Sequence, residues 1–341
     1  MHANLMRRAL AAALCLLALP SACTDSTPER TTIVVYTAMD RPQLDAFLQD
    51  FYAEVSDIQL EIVRDSTDAI AERLIAERGA PYADVVWGVA ATSLLGPDIR
   101  PQLAAYSAAG VGRVRAPYRD PRAPPTWIGI AASASALCVN VPQLDHFGLA
   151  PPKSLAELAD PKFRGLIAMA SPKTSSAGYA TLSNLVQRLG EELTFQFLGA
   201  LDRNVAVYTR SGATPCKLAR EGTSPIGISF DAAAVAQLPV VTLILPSEGP
   251  GWEVEASALV AKPDVLPAAK KFLDWTLGDH AMATYGQYYG VLSVTTGTQP
   301  PRGFPADLES RLGPNDLEQA ALDRRRLIDR WQAAFGAKTE P

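Results

Sequence analysis

Hydroxyl-bearing residues and glycines recur where a predicted strand gives way to a predicted helix. A helix N-terminus carries unpaired backbone N–H groups and a partial positive charge, so each such segment offers donors to an anion. Several of these segments meeting would hold a tetrahedral oxyanion with few cations, although each one alone is more often an ordinary helix cap. The segments are Tyr36-Thr37-Ala38, Asp65-Ser66-Thr67, the run Ser171–Gly178 with Ser175 and Ser176, and the run Tyr208–Thr214 with Thr209, Arg210, Ser211 and Gly212.

Charged and aromatic side chains occur in the same regions. Arg210 would grip an oxyanion with two parallel hydrogen bonds, unless it is simply a solvated loop residue. Asp231 directly follows the apolar run PIGISF and would either face a ligand or cap the helix that begins at Ala232. Tyr36, Trp87 and Trp252 would either wall a ligand site or belong to the core. The acids near strand ends that would suit an amine are Asp65, Asp231, Glu253 and Glu255.

Patterns for catalysis are missing from the sequence. It has no P-loop, no G-x-G-x-x-G after a strand and no G-x-S-x-G, and His146 and His280 stand outside metal-ligand spacings. We therefore expect no enzymatic activity, no cofactor and no resident metal. Tyr288-Tyr289 keeps one alternative open, because paired tyrosines bind ferric iron in some periplasmic proteins, although simple packing is the plainer interpretation.

The first 22 residues are typical of an export signal. Two arginines precede the apolar stretch Ala9–Leu19, which is shorter than the roughly 20 residues that a membrane span requires. Cys23 after small residues resembles a bacterial lipobox, which predicts a periplasmic protein whose only membrane contact is a lipid anchor. Pro20 replaces the usual aliphatic residue, so secretion without a lipid is the alternative. The polar residues 23–31 are predicted to be a tether.

Two further cysteines, Cys138 and Cys216, would lie in an oxidising compartment. They would either form a disulfide or remain separately buried thiols, and the sequence does not choose between the two. A structural zinc site requires four ligands, so metal binding by this pair is not expected.

Composition and length bound the remaining possibilities. The chain has 341 residues and 36 acidic against 31 basic side chains, with a basic cluster only at Arg324–Arg326. This acidic balance argues against a nucleic-acid partner. The length exceeds what one hydrophobic core usually organises, so two lobes are expected.

Strands and helices alternate along both halves of the chain. TIVVY at 32–36, residues 58–63 and ADVVW at 83–87 are predicted strands separated by amphipathic helices, and a second series follows the extended run 127–140. Such alternation predicts an α/β fold with parallel strands and crossover helices. Ligands of these sheets lie beyond the carboxyl ends of the strands, so we expect a cleft between two lobes that closes by a hinge. The predicted lobes are 32–128 with 255–290, and 129–254 with 291–341, with crossings near 127–130 and 253–256.

Several stretches together resemble one protein family, the 2-aminoethylphosphonate ABC transporter substrate-binding proteins, within the iron(III)- and spermidine-type periplasmic binding proteins. The run from YTRSGATPCKLA to PIGISF is the most specific part of the resemblance. The matching stretches are VVYTA (34–38), VRDST (63–67), ADVVWGVAATSL (83–94), YTRSGATPCKLA (208–219), PIGISF (225–230), GWEVEA (251–256) and PAAKKFLDW (267–275).

The resemblance implies a class II two-lobed fold, no catalysis, a membrane permease as partner and action as a monomer. It further implies that the phosphonate of a small aminophosphonate contacts hydroxyls and backbone, while Asp65, Asp231 or Glu253 holds the amine. At Arg210 and Asp231 this chain departs from the histidine and glutamate that are common in the family. The implied phosphonate contacts are Tyr36, Thr37, Ser66, Thr67, Ser176, Thr209, Ser211 and Gly212.

Overall fold

The computed structural model describes residues 30–295, 297 and 299–340. The predicted export signal at 1–22, lipidation at Cys23 and most of the predicted tether lie outside the described residues. Within the described part, no helix is both long enough and apolar enough to cross a membrane.

The first lobe begins with three parallel strands joined by helices, as the alternating pattern predicts. Their order in the sheet is β2-β1-β3, and the antiparallel strand β10 borders β3. Every residue of β3 is buried, which is why its sequence is apolar throughout. The elements are β1 (Thr31–Thr37), α1 (Arg41–Glu54), β2 (Ile58–Arg64), α2 (Thr67–Ala76), β3 (Val85–Ala90), α3 (Ala91–Leu94), β4 (Leu103–Ala104), β10 (Trp252–Val260), α9 (Pro267–Trp275), α10 (Asp279–Tyr285) and β11 (Val291–Leu292).

The second lobe repeats the scheme with a parallel trio in the order β8-β6-β7. The short strand β9 has three residues and pairs with the last residues of β5. The elements are β5 (Ile128–Val139), α4 (Val141–His146), β6 (Ile167–Ala170), α5 (Ser176–Leu189), α6 (Glu191–Asp202), β7 (Val205–Thr209), α7 (Thr214–Glu221), β8 (Ile226–Phe230), α8 (Asp231–Val235), β9 (Thr242–Ile244) and α12 (Leu317–Phe335). The short helix α11 (Leu308–Arg311) precedes α12 and packs Leu308 into the core of the first lobe.

The long strand β5 belongs to both sheets. Its first half pairs with β10 up to Ala134, and from Ser135 onward it pairs with β8. All twelve residues are buried, and the stretch 131–136 contains only alanine and serine. Each lobe has its own apolar core, one around Phe47 and Trp87 and the other around Phe163 and Trp331.

A disulfide stabilises the second lobe internally, and one helix contacts both lobes. Cys138 of β5 and Cys216 of α7 are joined in a disulfide with their Cα atoms 5.2 Å apart, which resolves the alternative that the sequence left open. Helix α12 packs against α3 of the first lobe and against α5 and α6 of the second. The C-terminal helix therefore bridges the lobes, whereas the sequence assigned it to the second lobe alone.

Candidate functional site

Strands β6, β7 and β8 all end at one edge of the second sheet, and the predicted hydroxyl-rich segments meet there. The Ser171 N–H donates to the Thr209 carbonyl at 2.9 Å, and the Ser229 hydroxyl donates to the Gly212 carbonyl. A Cβ on Gly212 would lie 2.8 Å from the Ser175 Oγ, so a larger residue would push the segments apart. Residues 171–176 and 209–213 are called the second-lobe rim below.

The second-lobe rim presents backbone and hydroxyl donors. Ser175 caps α5, its Oγ accepting from the Ala177 N–H at 3.2 Å. The following hydroxyl, on Ser176, is partly exposed, and Ser211 is exposed with its Oγ accepting from Ala213 at 3.3 Å. The α5 N-terminus and these hydroxyls can donate to an oxyanion. Arg210 is exposed beside them.

The corresponding edge of the first sheet gathers the other predicted segments, at residues 37–40 and 65–67, the first-lobe rim. The Asp65 N–H donates to the Thr37 carbonyl at 3.1 Å, which places both strand ends side by side. The Ser66 Oγ caps α2 by accepting from Ala69 at 3.3 Å. Thr67 is buried at the first turn, whereas Asp65 is exposed and its carboxylate accepts from the Ser66 N–H.

Two aromatic residues predicted at the site belong to the interior of the first lobe. The Tyr36 hydroxyl donates to Glu77 at 2.7 Å, and burial raises the pKa of Tyr36 to about 12. Trp87 is fully buried against Phe272, and its indole N–H donates to the Tyr285 hydroxyl at 3.0 Å. The prediction that they wall a ligand is therefore corrected, because their polar atoms are already satisfied inside the lobe.

Two further aromatic predictions are corrected for the same reason. Tyr208 is buried edge-on against Trp331 with ring centroids 4.8 Å apart, and its hydroxyl donates to Asp202 at 3.1 Å. The Trp252 indole N–H donates to the Gly313 carbonyl at 2.7 Å. Both side chains support the fold, so the rims consist mainly of small polar residues.

Glu253 is completely buried on β10 but has several partners. The Thr92 hydroxyl donates to it, and the Val254 N–H donates at 2.9 Å. Arg324 of α12 donates to the same Thr92 hydroxyl at 3.4 Å and to Asp68 at 2.7 Å. Burial raises the pKa of Glu253, while Thr92 and Arg324 oppose that rise. Glu253 is thus part of a contact between α12, α3 and β10.

Asp231 and Glu255 are the acids that lack such partners. The Asp231 side chain is 1% exposed, and its Oδ1 accepts from the Ala232 N–H at 2.8 Å. Its Oδ2 is buried with no hydrogen-bond partner among the described residues. Burial raises the pKa of Asp231 to about 7, and burial with the charge of Glu253 raises that of Glu255 to about 8.

Acidic side chains from both lobes lie near Glu255. Asp40 of the first-lobe rim and Asp231 beside the second-lobe rim both raise its pKa further, so these acids lie near one another. The sequence named Glu255 among candidate acids but did not distinguish it from Glu253.

The tyrosine pair gives a ferric site little support. Tyr289 is buried, and burial together with the charge of Glu255 raises its pKa well above 10, which opposes the phenolate form. Tyr288 packs edge-on against Phe47 at 5.4 Å between ring centroids. Across the described ranges, no three His, Cys, Asp or Glu side chains converge as a metal site.

Comparison with known proteins identifies the family. The sequence pattern of the bacterial extracellular solute-binding protein family matches residues 83–310. The chain belongs to this family. Its members bind solutes outside the cytoplasm, which agrees with the predicted periplasmic location and with binding in place of catalysis.

Individual similarities cover nearly the whole solute-binding protein. An uncharacterized protein of Haemophilus influenzae is 28% identical over 339 residues, covering 93% of this chain and 94% of that one. The periplasmic binding protein AfuA from Actinobacillus pleuropneumoniae, with bound fructose-6-phosphate, has a TM-score of 0.82 at 24% identity, covering 91% of this chain and all of that one. Iron-bound HitA from Pseudomonas aeruginosa has a TM-score of 0.76 at 18% identity, covering 89% and 99%. These structures confirm the predicted two-lobed α/β fold.

Proposed function

We propose that this solute-binding protein serves an ABC importer and captures 2-aminoethylphosphonate, or a close aminophosphonate, between its two rims. The supporting observation is that strand ends of the second lobe carry donors for an oxyanion, and that Asp231, at the end of β8, has a buried carboxylate oxygen without a partner among the described residues. The α5 N-terminus, Ser176 and Ser211 suit a phosphonate, and Asp231 suits an amine. Such a two-ended site fits a small zwitterion.

The structure favours one of the three acids that the resemblance offers for the amine. Asp65 is exposed, where water competes for a ligand's ammonium group. Glu253 already interacts with Thr92 and Arg324. Asp231 is buried and has a free oxygen within the described structure, so it gains most from a cationic partner.

The proposed phosphonate contacts follow the rims. The fructose-6-phosphate in AfuA shows that this fold can hold a tetrahedral phosphate group, which a phosphonate matches in shape and charge. The lipid anchor, the monomeric state and the lobe boundaries stay predictions. The proposed contacts are Thr37, Ser66, Thr67, Ser175, Ser176, Thr209, Arg210, Ser211 and Gly212.

Isothermal titration of the form that lacks residues 1–23 tests the proposal. We expect 1:1 binding of 2-aminoethylphosphonate, with Ser176→Ala and Ser211→Ala each weakening it by about 1 to 3 kcal/mol, because a charged group loses a donor. Ser310→Ala, an exposed hydroxyl on α11, is the control and should bind like the wild type. Indifference of the wild type to all phosphonates and phosphate esters would contradict the proposal. Unchanged affinity in both rim variants would remove these serines from the site.

Ferric iron is the second candidate ligand. Iron-bound HitA has the same two-lobed fold, so this fold can also hold ferric iron, although burial and the charge of Glu255 oppose the phenolate form of Tyr289 here. A visible absorption band on adding ferric citrate, lost in Tyr289→Phe, would favour iron. A colourless protein would leave the aminophosphonate as the candidate.

A further inference from the structure

Two carboxylates from different elements meet at neighbouring residues of β5. The Ser133 hydroxyl donates to the Glu255 Oε1 at 3.3 Å. The backbone N–H of Ala134 faces the carboxylate of Asp231. Because β8 ends at Phe230, that N–H lies beyond the last strand pairing, near the carboxylate. The two acids therefore lie on the same stretch of the strand that connects the lobes.

No basic side chain of the described residues bonds to either acid. Asp231 is bonded only through its Oδ1, and its Oδ2 is buried without a partner in the described structure. Buried charges in proteins are normally paired, since an unpaired one costs much free energy. Glu253, one step along the same face of β10, has that compensation from Arg324. Asp231 and Glu255 are consequently arranged for a cation that the described residues do not supply.

We infer that Asp231 and Glu255 form the subsite for the ligand's ammonium group, and that Glu255 releases a proton when the ammonium arrives. The inference rests on the proposed function and adds Glu255 as a specificity-determining residue. The neutral Glu255 carboxyl loses its proton to solvent, and the resulting carboxylate pairs with the ammonium. Glu255 thus releases up to one proton for each ligand bound, and the protonated fraction of Asp231 adds to the total.

The charges around Glu255 support this exchange. Glu253 on its own strand, Asp231 at the start of α8 and Asp40 before α1 all disfavour its ionisation, and Tyr289 lies nearby. Together with burial they raise the pKa of Glu255 to about 8, so the carboxyl is mostly neutral at pH 7. An adjacent ammonium lowers that pKa. Affinity should therefore rise as the pH increases from 6 to 8, by at most about tenfold per pH unit for each of the two carboxyls that ionises.

The test compares 2-aminoethylphosphonate with ethylphosphonate, which lacks the amine. We expect the wild type to prefer the amine by at least about tenfold, a difference of about 1.4 kcal/mol. Glu255→Gln and Asp231→Asn should each reduce this preference about tenfold while keeping ethylphosphonate binding, which also shows that the variants fold. Asp264→Asn, an exposed acid outside both rims, should keep the preference.

Titrations in two buffers of different ionisation enthalpy measure the proton release. A wild-type release of about one proton or more at pH 7, which is smaller by nearly one proton in Glu255→Gln, supports the subsite. Equal wild-type affinity for the two phosphonates would overturn the subsite and leave the phosphonate site standing. Full preference and full proton release in Glu255→Gln would overturn the role of Glu255. A wild type that binds neither compound would instead contradict the proposed function.

Discussion

Glu253 and Glu255 stand two residues apart on β10, yet their surroundings differ sharply. Glu253 is completely buried and contacts Thr92, with Arg324 close by. Glu255 is partly buried and receives only the Ser133 hydroxyl, while neighbouring acids raise its pKa to about 8. One carboxylate is compensated by the fold, and the other has no cation of the described chain beside it.

The difference separates structural from binding roles within one strand. A compensated buried charge fixes the arrangement of the elements that surround it, and removing its partner is costly. An uncompensated acid carries a free-energy cost in the unliganded protein that a suitable ligand can relieve. The same residue type therefore serves stability at one position and, in our proposal, recognition at the next.

Arg324→Met should produce the largest effect, because it leaves Glu253 and Asp68 without their cation. We expect the free energy of unfolding to fall by about 3 to 5 kcal/mol in urea titrations. Arg326→Met is the matched control on the same helix, since its partners Glu191 and Asp323 form a surface contact worth less than about 1 kcal/mol. Similar losses of stability in the two variants would contradict the distinction between the buried contact of Arg324 and the surface contact of Arg326.

Glu255→Gln should raise the free energy of unfolding, whereas Arg324→Met should lower it. The folded-state pKa of about 8 exceeds the ordinary value, so the folded chain binds more protons than the unfolded chain between pH 4.5 and 8. Stability then decreases with rising pH in this window, and the variant should gain about 1 to 3 kcal/mol at pH 7 while losing this pH dependence. Urea titrations at pH 5 and pH 8 measure this change in stability. Glu253→Gln is the comparison variant, and we expect it to be less stable than the wild type. A less stable Glu255→Gln at pH 8 would be contrary to this account.

Tyr36→Phe should produce the smallest effect, because it removes a neutral donor from a third carboxylate, Glu77. Thermal or urea unfolding should show a loss of about 1 kcal/mol, the usual net value of one hydrogen bond. Affinity for 2-aminoethylphosphonate should stay within about twofold. A tenfold weaker titration would return Tyr36 to the ligand site.

The sequence predicted most of the framework because its signals are local. Alternating strands and helices give β1 to β3 within a few residues, and the hydroxyl-rich segments fall at strand ends, where parallel topology brings them together. The directions in which the side chains of Tyr36 and Trp87 point could not be predicted from such local signals. Both lie in strands that are buried on both faces, so no polar alternation marks which side chain turns toward a ligand.

The roles of the acids depend on contacts between distant parts of the chain. Arg324 bonds to Asp68 across 256 positions of sequence, and Thr92 reaches Glu253 across 161. Nothing near Glu253 in the sequence indicates that it is compensated while Glu255 is not. Only the docking of α12 against α3 separates the two.

The position of α12 has a consequence for how the protein reaches its working state. A chain is synthesised from its amino end, so this bridging helix emerges after all the elements that it connects. Until then Glu253 and Asp68 lack Arg324, and Tyr208 lacks Trp331. Completion of both lobes thus waits for α12, and a chain truncated before this helix would leave each half unfinished.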